Sequence, residues 1–326
     1  MRWQTETSLP EFQFNIDHKS NILLLGSCFA ENIGDRLHFH KFKTVQNPFG
    51  IVYNPISLLH TLRVLVGDKM YSSGDVQLAN SRYFSYDHHS RFSAARKEET
   101  LENINTELET ARHALSQTNV AFISLGTAFY WWLNDEERVV NNCHKQPLEL
   151  FAQKRASVED VRSALTEVVL MLQKSAPAIQ IVFTVSPIRH LKHGSQGNQL
   201  SKATLVVAAQ ELAERMENVH YFPSYELLLD DLRDYRWYEE DLIHPNKMAI
   251  DYIWEKFGDA FFTTNTRVAI KDVSGFQKLL NHRPLNASLK NKAAQFEKLS
   301  AEAARIQKKY DVLFKAELNC WREKNL

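Results

Sequence analysis

The chain has 326 residues, of which 44% are hydrophobic and 24% charged, which is typical of a globular protein with a large buried core. Its 39 basic and 39 acidic residues balance, so overall charge does not favour a nucleic acid or an anionic membrane as partner. Three widely spaced cysteines, Cys28, Cys143 and Cys320, predict no disulfide framework and no zinc site. They favour a reducing compartment. The N-terminal sequence lacks the apolar core of a signal peptide and no apolar run is long enough to span a membrane, so we expect a cytoplasmic protein.

Apolar runs and amphipathic stretches alternate between residues 21 and 262. The apolar runs predict buried strands at 22–25, 42–45, 119–125, 178–185 and 219–222. Helical periodicity predicts helices after the first strand and at 58–66, 98–115, 158–173, 199–216 and 247–262. This alternation predicts an α/β fold with a doubly wound, about five-stranded parallel sheet, whose ligands bind at the carboxyl ends of the strands.

The pattern changes from about residue 271 onwards. Apolar residues at helical spacing from Phe296 to Leu318 predict a long C-terminal helix packed on the α/β core. Its basic face is more typical of a solvated surface than of a nucleic-acid or membrane surface, although a partner-binding or dimer helix is an alternative. We therefore predict an α/β domain at 1–270 and a C-terminal helical extension at 271–326.

The first predicted strand ends in a turn that carries a hydroxyl group. In the stretch NILLLGSCFAENIGDRL (21–37), the strand stops at Gly26 and the period becomes helical from Cys28. Ser27 would project from the carboxyl end of the strand, beside the N-terminus of a helix, which suits a nucleophile whose attack creates an oxyanion. The alternative is that Gly26 only forms the turn and Ser27 only caps the helix.

A second candidate stretch places Asp241 three residues before His244, just ahead of Pro245. A carboxylate at this spacing can hold the imidazole Nδ1–H, fix the tautomer and stabilise the imidazolium. A purely structural Asp–His pair is the alternative. In a doubly wound sheet, Ser27, Asp241 and His244 would supply a nucleophile, an orienting carboxylate and a base.

Short motifs are spread over the first 245 residues: GSCFA at 26–30, NPFG at 47–50, DHHSRF at 87–92, LGTA at 125–128, SPIRH at 186–190, YFPSY at 221–225, LRDYR at 232–236 and DLIHP at 241–245. On these motifs the chain resembles the GSCFA family of largely bacterial proteins, which is itself similar to the SGNH (GDSL-type) hydrolases. The resemblance covers about residues 1–260. It implies a three-layer α/β/α sandwich with a Ser-His-Asp site, in which Ser27 and Gly50 donate backbone N–H groups to the oxyanion.

Two departures from the SGNH pattern concern this site. SGNH enzymes open with Gly-Asp-Ser, whereas here Ser27 follows Gly26 directly. Their third block carries an Asn whose side chain donates to the oxyanion, and Ala128 stands at that position here. Losing one donor costs about 3 kcal/mol of transition-state stabilisation unless another group, such as Thr127, Asn47 or the backbone of the second block, replaces it.

Further polar residues are candidates to line the substrate pocket: Asn47, Gly126, Thr127, His89, Ser90 and Arg189. The pair His88 and His89 is not a good metal site, because neighbouring side chains diverge. The alternative for His89 and Ser90 is that they are ordinary polar loop residues that do not line a pocket. Arg189 follows the long fourth strand and is a candidate to bind a carboxylate or phosphate, with a structural ion pair as the alternative.

Cys28 is a second candidate nucleophile, because a thiol at a helix N-terminus can have a lowered pKa. Adjacent residues leave such a turn in different directions, and the resemblance favours Ser27. The aromatic run at 129–132 would stack on a sugar or, alternatively, pack in the core.

These features predict a serine ester hydrolase that needs no cofactor and no metal. Ser27 attacks an acyl carbonyl, His244 takes its proton and delivers it to the leaving alkoxide, and Asp241 orients His244. Family analogy suggests O-acetyl groups of a carbohydrate as substrate. The alternatives are acyl transfer by the same site, or a catalytically silent binding module, which the missing Asn donor would suggest. The sequence does not predict the oligomeric state.

Overall fold

The computed structural model describes residues 5–281 and 289–325. The strands, in chain order, are β1 (Asn21–Gly26), β2 (Lys43–Gln46), β3 (Gln77–Ala79), β4 (Arg82–Phe84), β5 (Val120–Leu125), β6 (Phe129–Leu133), β7 (Arg138–Val140), β8 (Phe151–Arg155), β9 (Gln180–Val185) and β10 (Val219–Tyr221). The helices are α1 (Cys28–Phe39), α2 (Pro55–Val66), α3 (Lys97–Leu115), α4 (Val158–Ser175), α5 (Gly194–Arg215), the single turn α6 (Ser224–Glu226), α7 (Lys247–Phe261), α8 (Thr264–Asn281), α9 (Leu289–Tyr310) and α10 (Lys315–Asn325).

The centre of the fold is a parallel sheet of five strands in the order β10-β9-β5-β1-β2. The prediction of a doubly wound, five-stranded parallel sheet is therefore confirmed. The chain leaves β1 towards β2 and later returns to the opposite side of β1 with β5, so the direction of winding switches between β1 and β5. Ligands of such sheets bind at this switch point, beside the carboxyl ends of the strands. Ser27 follows β1 at that position.

Alternate residues of each strand face opposite helical layers, which gives the sandwich two cores. On β1, Leu23 and Leu25 pack with apolar residues of α2, α3, α4 and α5. The intervening Ile22 and Leu24 pack with α1 and α7 on the other face. None of the helices at 5–281 or 289–325 is long and apolar enough to cross a membrane.

Two small antiparallel sheets lie outside the main sheet and were not predicted. One is the hairpin of β3 and β4, and the other joins β6 to β7 and β8. The aromatic run at 129–132 lies on β6, where its four residues are half-buried. Strands this short carry too few residues for a period of two to be recognised in the sequence.

The C-terminal segment forms two helices, so the prediction of one long helix is wrong. Asp311 adopts a left-handed backbone with φ of +54° and separates α9 from α10. Helices α8, α9 and α10 share an apolar cluster that includes Phe276, Ile306 and Trp321. The predicted boundary at 271 falls inside α8 and residues 282–288 lie outside the described residues, so the division into domains stays a prediction.

Contacts also join this C-terminal segment to the rest of the chain. The Ser274 hydroxyl lies 3.2 Å from Nδ1 of His40. Lys41 forms an ion pair with Glu317, on α10. These contacts hold α8 and α10 against the end of α1.

Gly26 determines how closely β1 approaches β5. Its φ is +122°, and a Cβ at this position would lie 2.1 Å from the carbonyl oxygen of Ser124.

We therefore expect Gly26→Ala to lower the free energy of unfolding by about 3 kcal/mol, because strain and overlap act together. Gly275→Ala is the control in urea unfolding: its Cβ would meet nothing within 4 Å, so the free energy of unfolding should rise by about 0.5–1 kcal/mol. Equal effects of the two substitutions would contradict the expectation.

Candidate functional site

The turn between β1 and α1 buries Ser27. Its hydroxyl accepts a hydrogen bond from the N–H of Phe29 at 3.2 Å and therefore caps α1, and its Oγ lies 2.8 Å from Oγ of Ser124. Only 3% of Ser27 is exposed. The hydroxyl thus points towards β5 and is engaged by two neighbours, which agrees with the capping alternative and leaves its catalytic role a prediction.

Cys28, the first residue of α1, is more accessible than Ser27. It is only partly buried. Its thiol also lies near the phenol of Tyr53, whose pKa is raised by burial, then by Cys143 and by Cys28. Burial, followed by the nearby Glu31, raises the pKa of the Cys28 thiol. Cys28 is therefore a neutral thiol that needs a base before it can attack.

Asp241 and His244 form a hydrogen-bonded pair in the loop that precedes α7. Nδ1 of His244 lies 2.6 Å from Oδ2 of Asp241. Oδ1 of Asp241 accepts the backbone N–H groups of Ile243 at 2.8 Å and of His244 at 3.0 Å. The hydrogen bonds from the backbone and ring of His244, followed by that from Ile243, lower the pKa of Asp241 to about 2. The carboxylate is thus ionised at neutral pH and fixes the imidazole by one nitrogen.

The structure does not join this pair to Ser27. Among the described residues, no hydrogen bond connects Ser27 with His244, and Nε2 of His244 has no hydrogen-bond partner. The His244 side chain is 48% exposed. Asp241 and His244 therefore form a pair that has no hydrogen bond to Ser27 within the described residues, and the catalytic roles of all three stay predictions.

The two predicted oxyanion donors are both paired with backbone carbonyls. The N–H of Ser27 continues the ladder between β1 and β5 by donating to Ser124 at 3.0 Å. The N–H of Gly50 closes a tight turn by donating to Asn47 at 2.7 Å, with a left-handed φ of +79° at Gly50. Neither N–H is free to bind an oxyanion here, so this role would require the turns to open and stays a prediction.

Asn47 and Thr127 are buried and hydrogen-bonded to other parts of the fold. Oδ1 of Asn47, a residue that is 1% exposed, accepts the N–H of Gly26 at 2.8 Å. The Thr127 hydroxyl lies 2.9 Å from Oγ of Ser201 on α5, and Thr127 is 4% exposed. Both side chains are thus engaged by the protein itself in this structure, and their contact with a substrate stays a prediction.

The segment around His89 lies against the turn that contains Gly50. A Cβ at Gly50 would lie 2.1 Å from Cβ of His89, and Nδ1 of His89 accepts the N–H of Arg91 at 3.3 Å. Ser90 is exposed. Nη2 of Arg91 also donates to the carbonyl of Asn47 at 2.5 Å. His89 and Ser90 therefore pack beside the second block, and their contact with a substrate stays a prediction.

Gly126, at the end of β5, contacts two residues whose importance the sequence did not indicate. Its N–H donates to the carbonyl of Tyr53 at 2.6 Å. Nε2 of His190 is buried without a hydrogen-bond partner, and it lies 3.0 Å from the place where Gly126 would carry a Cβ. Burial, followed by the electrostatic effects of Lys202 and His244, lowers the pKa of His190 to about 3. His190 is thus a neutral imidazole near the Asp241–His244 pair, and only its place in the SPIRH motif hinted at it.

Lys202 on α5 is completely buried and ties two strand ends together. Its Nζ donates to the carbonyls of Gly126 at 2.6 Å and of Ser186 at 2.7 Å. Burial lowers its pKa to about 7. This lysine fixes the ends of β5 and β9, from which the loops around the site begin. In the sequence it is one of many helical lysines, and no pattern singles it out.

Buried histidines lead us to expect lower stability in mild acid. Burial lowers the pKa of His40 to about 4 and those of His88 and His190 to about 3, from an ordinary value of 6.5. Between these values the unfolded chain binds protons that the folded chain does not. The free energy of unfolding should therefore fall as the pH drops from 6.5, by up to about 1.4 kcal/mol per pH unit for each histidine.

Urea unfolding between about pH 7 and about pH 4.5 measures this effect. Carboxylates with a lowered folded pKa, such as Asp241, contribute in a separate window, because their stabilisation is lost only below their ordinary 3.8. A free energy of unfolding that stays constant down to about pH 4.5 would contradict the expectation.

The fold places the chain in the class of doubly wound α/β proteins, and its Asp241–His244 pair lies beside the carboxyl edge of the sheet. The family model described as GSCFA family matches residues 21–257, and the chain belongs to that family. None of the curated proteins matches the chain. Within 5–281 and 289–325, no cluster of three or more His, Cys, Asp or Glu side chains is arranged to hold a metal ion.

One similar solved structure is an acetyl xylan esterase from the rumen bacterium Butyrivibrio proteoclasticus. It is 13% identical to the chain, has a TM-score of 0.35, and the alignment covers 76% of this chain and 67% of that one. A likeness this distant carries no argument about the activity of this chain.

Proposed function

We propose that the chain is a carboxylic ester hydrolase in which His244 is the general base and Asp241 orients it. The observation that carries the proposal is the 2.6 Å contact between Oδ2 of Asp241 and Nδ1 of His244. Because Nδ1–H is donated to the carboxylate, the lone pair of Nε2 remains free to take a proton from a nucleophile. The backbone bonds of Ile243 and His244 to Asp241 hold the carboxylate in this orientation.

Ser27 is the proposed nucleophile. Its hydroxyl proton passes to Nε2 of His244 as Oγ bonds to the acyl carbon, and the same proton then goes to the leaving alkoxide as the acyl–oxygen bond breaks. Water then attacks the acyl carbon and gives its proton to Nε2 of His244. The same proton passes to Oγ of Ser27 as the bond between Oγ and the acyl carbon breaks and the acid leaves. Ser27 must first leave Ser124 and Phe29, and the two hydrogen bonds together are worth about 2 kcal/mol, which is small beside the effect of a catalytic base.

A specific observation favours the Cys28 thiol as the second candidate nucleophile. Cys28 is partly exposed, whereas Ser27 is 3% exposed. His244 would remove the thiol proton in the same way, and the intermediate would be a thioester instead of an ester.

The experiment is hydrolysis of a panel of 4-nitrophenyl esters of short-chain acids by the full chain, with His244→Ala as the blank. Turnover by the wild type above that of the variant supports the proposal, and equal rates contradict it and favour a silent binding module. Acetylated sugars extend the panel to the proposed carbohydrate substrates. An added acceptor alcohol reveals acyl transfer as a new ester product.

A further inference from the structure

A cleft of about 320 Å³ lies next to the loop of the Asp241–His244 pair. It is formed by segments that follow β9 and β10, and therefore lies at the same carboxyl edge as the candidate site. The lining residues that matter here are Arg189, Tyr225, Leu228, Leu232, Tyr235 and Tyr238. A mostly apolar cleft with a few polar groups is typical of small-molecule sites.

Arg189 joins the cleft to the catalytic loop. Its backbone N–H donates to the carbonyl of Ile243 at 3.2 Å, and its Nη1 donates to the carbonyl of Leu242 at 2.9 Å. These two carbonyls immediately precede His244 in the chain. A molecule bound against Arg189 is therefore held at a fixed place relative to the imidazole.

No residue at 5–281 or 289–325 forms an ion pair that neutralises the charge of Arg189. Arg233, which also lines the cleft, pairs with Asp230, and Asp234 pairs with Arg236 at 2.9 Å. Arg189 forms no ion pair with any residue of the described ranges. Its side chain makes one hydrogen bond to these residues, the one to the carbonyl of Leu242. A guanidinium group has five N–H donors, so most of its donors remain for a ligand. The cleft thus presents one positive charge beside the catalytic loop.

Tyrosine rings surround that charge. The guanidinium carbon of Arg189 lies 5.8 Å from the ring centre of Tyr235 and 5.7 Å from that of Tyr238. Tyr235 is 65% exposed, so much of its ring is open to a ligand. Leu228 and Leu232 add apolar surface. A ligand that carries both a ring and an anionic group would contact the tyrosines and the arginine together.

Building on the hydrolase proposed above, we propose that this cleft binds the leaving group of the ester and selects one that combines a ring with a carboxylate. His244 delivers its proton to the leaving oxygen, and Arg189 contacts the carbonyls of Leu242 and Ile243 directly before it, so we place the leaving group in the cleft beside this loop. Arg189 pairs with the carboxylate, and Tyr235 packs against the ring. The acyl group then lies towards the turn of Ser27 and Cys28.

Two acetyl esters test the proposal: 4-acetoxybenzoate, which carries a carboxylate, and its neutral methyl ester. Each kcat/KM is divided by the rate of that ester with hydroxide, which removes the difference in intrinsic reactivity. A charge-assisted hydrogen bond predicts that wild type prefers the charged ester by about 10-fold or more. In Arg189→Met the preference should disappear. In Lys192→Met, which removes a positive charge from the same loop, it should persist.

A loss in Arg189→Met that falls equally on both esters would mean that Arg189 only braces the loop, and would overturn the proposal. A wild type without a preference for the charged ester would overturn it as well. If wild type hydrolyses neither ester, the panel of 4-nitrophenyl esters decides about the proposed function, and calorimetry with 4-hydroxybenzoate and its methyl ester decides about the cleft. Binding of the acid that needs Arg189 supports the cleft, and no such binding overturns it.

Discussion

His244→Ala is expected to lower kcat/KM for a 4-nitrophenyl ester by about 1,000-fold or more, because the variant has no group to take the proton of the nucleophile. The pair with Asp241 is half-exposed in a surface loop, so the substitution should leave the fold intact. Steady-state kinetics measure the loss, and the far-UV circular dichroism spectrum checks the fold. His113→Ala, at an exposed position of α3, is the control and should leave the rate unchanged.

Asp241→Asn gives a more specific version of this test. The Asn oxygen can still accept the backbone N–H groups of Ile243 and His244, so the loop keeps its shape. Its amide nitrogen would donate to Nδ1, which places the imidazole proton on Nε2 and removes the base. We expect a loss of up to about 10,000-fold in kcat. A variant that retains wild-type kcat would show that the pair is only structural.

Ser27→Ala is expected to reduce turnover as much as His244→Ala, because nucleophile and base act as a unit and their losses do not add. The substitution also removes the cap of α1, which costs about 1 kcal/mol of stability. Ser157→Ala is the matched control, since Ser157 caps α4 through a similar hydrogen bond from Asp160. Both variants lose a helix cap, Ser27→Ala should lose somewhat more stability because buried Ser124 also loses its partner, and only Ser27→Ala should lose activity.

Cys28→Ala separates the two candidate nucleophiles. If Ser27 is the nucleophile, this variant should stay within a few-fold of wild type. The reverse result, an active Ser27→Ala and an inactive Cys28→Ala, would assign the nucleophile to the thiol while leaving the role of His244 in place. Full activity in both variants would exclude a nucleophile from this turn.

The main sheet was predictable because its strands are near-continuous apolar runs, as expected for strands buried on both faces. The Asp241–His244 pair was predictable for a different reason. Its residues are three apart, so a local turn, with a left-handed Leu242, is enough to bring them together. Features that depend only on residues close together in the chain can be predicted from one sequence.

The orientation of Ser27 depends on contacts that are distant in the chain. Its hydroxyl is held by Ser124, which lies 97 residues further on, and no local pattern indicates this bond. Lys202 likewise acquires its role only when α5 packs against the ends of β5 and β9. The sequence located the turn and the residue types, whereas tertiary packing decides which way each side chain points.

The most direct test of the proposed hydrolase is to trap the acyl-enzyme formed from 4-nitrophenyl acetate by acid quenching and to map the acetyl group by tandem mass spectrometry. Trypsin should release Ser20–Arg36, which contains both candidate nucleophiles. We expect a single acetyl group on Ser27 that resists neutral hydroxylamine and is absent from His244→Ala. A hydroxylamine-sensitive acetyl group on Cys28 would move the nucleophile by one residue. An unmodified peptide, or one modified equally in wild type and His244→Ala, would contradict the proposed hydrolase.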